Sequence, residues 1–226
     1  MKKIISLFIV IAASTMSYAQ DAKDLAKKQM ELNEINMKLA NLKPTKEAKK
    51  QAKVLTRQGW EVPAGQPSIE RQITKMQLYQ AELMTDGNGN PTTRYITHSA
   101  QQTAGTYNAG YAAARATAQA EVASTIKTSI ISTLDMSLGN NQSDAATAAS
   151  VDVLKTNTKM IVDEVLTGSI PLLVAYRRLP NNNFEVQFGL AYDKMELRSR
   201  LKNKLLKELG DDSEALVDGM VDKAME

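Results

Sequence analysis

The chain has 226 residues, a formal net charge of +3, no cysteine, one histidine and one tryptophan. The missing cysteine excludes disulfides, thiolate zinc sites, cysteine nucleophiles and a lipid-modified lipoprotein start. One histidine cannot supply the usual catalytic zinc site, and seven tyrosines, three phenylalanines and one tryptophan are few for a base-stacking groove.

In chain order, Met1 to Ala19 reads as a secretory signal peptide. Lys2 and Lys3 form a basic start, and Ile4 to Ala13 is apolar except for Ser6. Ser17 and Ala19 are small residues at the −3 and −1 positions of a cleavage site between Ala19 and Gln20. The apolar run is well short of the ~20 residues that span a bilayer. No later segment has a comparable run, so no transmembrane segment is expected. Removal of residues 1–19 leaves about 207 residues, enough for one core. It also takes Lys2 and Lys3 with it, so the net charge falls from +3 to +1. That balance gives no long-range pull toward nucleic acid or anionic lipid.

Residues 20–66 are expected to form an N-terminal helical extension. Leu25, Leu32, Ile35, Leu39 and Leu42 share one helical face, Pro44 interrupts it, and Lys46 to Val54 reads as a second short helix. Gly59 to Val62 reads as a short strand before a Pro/Gly turn, with Trp60 as a partly buried packing residue. An α+β domain is expected over 67–209. Ser68 to Lys75 suggests a helical turn or two. Gln77 to Met84 reads as a strand, with helix as the alternative.

Thr85-Asp86-Gly87-Asn88-Gly89-Asn90 has the look of a calcium loop. Counted from Asp86, however, the sixth position is Pro91 and the twelfth is Thr97, where an EF-hand loop needs Gly and Glu. Asp-Gly and Asn-Gly are instead hairpin turn signals. Residues 77–99 therefore read as a β-hairpin.

Alanine-rich composition predicts a helix from Tyr107 to Lys127, with Tyr107, Tyr111, Ala114, Ala118, Val122 and Ile126 near one stripe. So much alanine suits close approach to a partner surface. Ser129 to Ser137 has strand composition. Asp144 to Leu166 reads as the next helix, ended by Gly168. Leu172–Leu179 and Phe184–Tyr192 form the clearest hairpin, with Phe184, Val186 and Phe188 alternating with Glu185 and Gln187. Asp193 caps a helix to Leu209 that carries Leu197, Leu201 and Leu205 on one face. Residues 210–226 form an acidic C-terminal tail with a last short helix.

The segment from Tyr111 to Ala123, with its Ala-Arg115-Ala core, followed by the serine-bearing stretch Ile130–Ser137, resembles the LPP-twenty lipoprotein family, which includes the flagellar protein FlgP. Gly168 to Tyr192 matches that family's glycine and terminal hairpin. The resemblance covers about 85–193. It implies an α+β fold, with an antiparallel sheet of about four to five strands and helices packed on one face. It also implies a non-catalytic envelope component, often built into an assembly. Family members are commonly lipidated, whereas this chain has no cysteine for the lipid.

No nucleotide-binding or hydrolase motif is present. His98 reads as a surface histidine on a strand, with Ser99 on the opposite face. Glu121, Asp135, Asp163 and Glu164 are the carboxylates that could meet in a cleft. The expected function is thus that of an exported, non-lipidated structural or interaction component of the bacterial envelope. No catalytic, metal or cofactor residues are assigned. Its expected partners are envelope proteins or further copies of itself in a homo-oligomer, in the periplasm or at the outer membrane. No nucleic-acid partner is expected. The alternatives are an exported carboxylate-dependent hydrolase, or a small-ligand or calcium module built on Asp86, Asn88 and Asn90.

Overall fold

The computed structural model describes residues 43–85, 89–140, 145–210 and 213–225. The segment expected to be a signal peptide, with the expected cleavage at Ala19 and Gln20, the leucine-bearing segment 21–42, and Asp86 to Asn88 of the turn lie outside the described residues.

Helix α1 spans Lys46–Arg57, and Thr45 Oγ1 accepts from the Ala48 N–H at its start. Ala48 and Ala52 are buried while the lysines point outward. Helix α2 spans Ile69–Ala81. This corrects the expectation of a strand from Gln77. Ile69, Gln72, Ile73 and Tyr79 are buried at helical spacing, so the helix continues through the ambiguous stretch. The hairpin expected over 77–99 shrinks accordingly. Only β1 (Leu83–Thr85) and β2 (Pro91–Thr93) pair there, antiparallel. The next strand, β3 (Tyr95–Ala104), leaves for another sheet.

Helix α3 runs unbroken from Tyr107 to Asn140. The strand expected over 129–137, and implied by the family resemblance at Ile130–Ser137, is helix instead. The reason lies in the buried stripe. Ala114, Ala118, Val122, Ile126, Ile130 and Leu134 recur every four residues, each at most 2% exposed. Full burial of an Ile or Leu contributes about 1.5–3 kcal/mol. The helix-propensity cost of a β-branched residue is under about 0.7 kcal/mol, so burial decides. At about 100° per residue, each four-residue step also turns the stripe by roughly 40°. The stripe therefore winds round the helix. Residues 107–121 touch the sheet, whereas Asp135 reaches Lys155 on the following helix, α4 (Ala145–Val165).

Strands β4 (Ile170–Arg178) and β5 (Phe184–Asp193) form the expected hairpin, with Asn182 in the left-handed region at φ 64°. Helix α5 (Lys194–Leu209) starts at Asp193, whose Oδ1 accepts from the Met195 and Glu196 N–H groups. Helix α6 (Glu214–Met225) buries Val217, Met220 and Val221 and packs on α3 and α5.

The main sheet has three strands in the order β3-β5-β4, all antiparallel, rather than four to five. Helices also cover both faces rather than one. Val174, Val186 and Phe188 join the core built with α3 to α6. Their neighbours Leu173 and Ala175 point the other way. There they pack with Trp60, Ala48 and Ala52, Ile69 and Ile73, which belong to α1, α2 and the loop between them. Among the described residues no helix is long and apolar enough to cross a membrane.

Candidate functional site

His98 stands on β3, where the sequence reading puts it, partly exposed. Its Nε2 meets Glu121 Oε2 of α3, so one of the four candidate carboxylates is its polar contact partner. Ser124, Thr125, Thr128 and Ser129 line the open groove beside this pair. The threonine hydroxyls there bond to their own helix. Thr125 Oγ1 donates to the Glu121 carbonyl at 3.1 Å and Thr128 Oγ1 to the Ser124 carbonyl at 2.8 Å. Of the residues in the 129–137 stretch read as a strand, Ser129 stands on this helix flank.

The other carboxylates are not gathered with Glu121. Asp135 pairs with Lys155 at 2.5 Å, and Glu164 pairs with Lys204 of α5. Asp163 is exposed on α4. Asp86 and Asn88 of the calcium reading lie outside the described residues. Among the described residues no cluster of three or more His, Asp or Glu side chains could hold a metal ion. Trp60 is buried, and the Arg177 guanidinium lies 5.0 Å from its ring centroid.

The two edges of the main sheet differ sharply. On the outer side of β4, the Val174 N–H donates to Gln72 Oε1 at 2.6 Å. Tyr176 and Glu61 exchange both backbone bonds, at 2.9 and 2.7 Å. Lys75 Nζ donates to the Pro171 carbonyl at 2.9 Å. Pro171, a register shift between Pro171 and Leu173, and Arg177 and Arg178 further guard this edge. Gln72 is itself buried, and its Nε2 donates to the Pro67 carbonyl at 2.7 Å, so its amide is used at both ends.

The outer side of β3 has none of these devices. Its ten residues run in register along β5 without a bulge. Tyr-Ile-Thr-His-Ser-Ala-Gln-Gln-Thr-Ala contains no Pro and no Lys, Arg, Asp or Glu. Antiparallel geometry fixes which backbone groups point outward. Val174 and Tyr176 face away from β5, so Leu173, Ala175 and Arg177 bond to Gly189, Gln187 and Glu185. The even-numbered residues of β5 must then bond to β3, through His98, Ala100 and Gln102. Thr97, Ser99, Gln101 and Thr103 consequently turn their N–H and C=O groups to the open edge. Among the described residues no strand, bridge or side chain meets those groups.

The sequence reading reached β3 only as far as residue 99, as an arm of the 77–99 hairpin, and missed both its continuation to Ala104 and its exposed edge, because edge status depends on which distant strand it pairs with. The absence of charge in Tyr95–Ala104 is the signal that was available.

Compared with family models, with curated proteins and with solved structures, the chain matches none of them.

Proposed function

We propose that this chain is a non-catalytic structural or interaction component of the bacterial envelope, exported without a lipid anchor and acting through contact with other proteins or with itself. The observation that carries this reading is the unguarded edge of β3. A sheet edge with ten residues and no charge, proline or bulge is a template for strand pairing. The fold closes the opposite edge with a buried glutamine, a lysine and a backbone bridge. The Glu121 contact that ties up His98 and the back-bonded threonines beside it also favour a structural role for that groove. The signal-like sequence of residues 1–19 and the sequence resemblance to LPP-twenty lipoproteins support a role in the envelope, in the periplasm or at the outer membrane.

The test is cell fractionation with N-terminal sequencing and in-cell cross-linking. The reading expects a chain starting at Gln20 in the envelope fraction, cross-linked to itself or to envelope proteins. A cytoplasmic chain that retains Met1, or an exported monomer that cross-links to nothing, contradicts it.

A further inference from the structure

We infer that the open edge of β3 pairs with the same edge of a second copy of this chain. The pairing is antiparallel about a two-fold axis normal to the sheet and joins the two three-stranded sheets into one. This rests on the interaction reading above and names the partner and the surface.

Three observations favour a second copy. First, β3 carries no Lys, Arg, Asp or Glu, and its one titratable imidazole, His98, already meets Glu121 of the same chain, so an identical strand laid against it brings few like charges together. Second, an axis normal to the sheet keeps both copies of α3 on the same face. The flank of α3 beside His98 carries the small residues Ser124, Thr125 and Thr128 next to Glu121, whose carboxylate meets His98 of the same chain, and the small residues let a neighbouring helix approach. Third, the sequence of residues 21–42 has its leucines at helical and not at alternating spacing, which does not match a strand-pairing segment.

The outward-facing groups restrict the register. Only odd-numbered residues of β3 offer N–H and C=O to the edge, so hydrogen-bonded pairs across the axis join odd residues to odd residues. The central registers pair Ser99 with Ser99, Ser99 with Gln101, or Gln101 with Gln101. Such pairs bring their Cα atoms to about 5.5 Å, within the disulfide range of about 4.4–6.8 Å.

The absence of native cysteine makes this directly testable. Single variants Ser99→Cys and Gln101→Cys, each in the chain from Gln20, are oxidised alone and as an equimolar mixture. Val54→Cys, exposed on α1, serves as the control. We expect a disulfide-linked dimer in at least one of the three samples and none in the control. Gln101→Lys, which sets like charges near the axis, should weaken the dimer at least tenfold by light scattering while circular dichroism stays native. A discrete oligomer that cross-links in none of the three samples, or that Gln101→Lys leaves intact, overturns the inference and leaves the interaction reading standing. A chain that is monomeric at every concentration but cross-links to other envelope proteins also overturns only the inference. A monomer with no cross-link at all overturns both.

Discussion

Gly110 of α3 lies against Val186 of β5 so closely that a Cβ built on the glycine would sit 2.7 Å from Val186 Cγ2. Gly110 thus opens the buried stripe that Ala114 and Ala118 continue, and it sets how near the helix lies to the sheet. Glycine-to-alanine in a helix interior normally gains about 1 kcal/mol. Here overpacking should reverse the sign, with a net loss of about 1–3 kcal/mol in urea denaturation. Adding Val186→Ala to Gly110→Ala should recover part of the loss. Independent, additive effects of the two changes would contradict the contact.

Phe188 is fully buried on the α3 face of β5, and the Tyr111 ring stands edge-on to it at 5.3 Å. Gln187, next in the chain, points to the other face and is half-buried. Phe188→Asp should abolish the cooperative unfolding transition, because an unpaired buried carboxylate has no compensating partner. Gln187→Asp should leave a folded protein. Equal tolerance at the two positions in circular dichroism melts would mean the register is misassigned.

Asp193 has two tasks. Its Oδ1 caps α5, and its Oδ2 receives the Arg94 guanidinium at 2.9 Å. Asp193→Ala should cost about 1–2 kcal/mol, with loss of the cap as the larger part. Asp193→Asn keeps a capping oxygen and should lose well under half of that. Arg94 is partly exposed, so Arg94→Ala should cost less than about 1 kcal/mol. Thermal melts of the three variants separate these effects. An asparagine variant as unstable as the alanine variant would assign the energy to the ion pair.

The Tyr95 hydroxyl is pushed up to about 12, first by burial. Its ring lies 4.5 Å from the Tyr79 ring, and Tyr79 is raised too, again first by burial. The folded state therefore holds these protons more tightly than the unfolded chain, whose tyrosines titrate near 10. The resulting stability is fully present below about pH 10 and is lost as pH rises toward about 12. Phenolate absorbance of Tyr95→Phe, subtracted from that of the parent, should show a late-titrating group. A difference curve centred near pH 10 would contradict the burial of this hydroxyl.

Local signals made part of this fold legible. The β4–β5 hairpin has period-two alternation and an Asn-rich turn. The α5 start is written in Asp193, and Leu197, Leu201 and Leu205 are buried as their spacing requires. Other parts depended on distant contacts. Ile130, Ile131 and Thr133 favour strand locally, but Ile130 continues a four-residue stripe that α4 and α6 help to bury. Leu172 to Ala175 are all buried because the sheet is covered on both faces, so β4 was legible from its hairpin with the alternating β5 while the second covered face was not. His98 was readable as a strand residue. Its partner Glu121 was not, since their meeting depends on how α3 lies across β3. The open edge of β3 was hidden for the same reason.

The central claim is that this protein works by association, and the most direct measurement is the molar mass of the chain from Gln20 by light scattering across a concentration series. A self-associating chain should show a discrete mass that is a whole multiple of the single chain and that falls only on dilution. The mass of one chain at every concentration would contradict self-association.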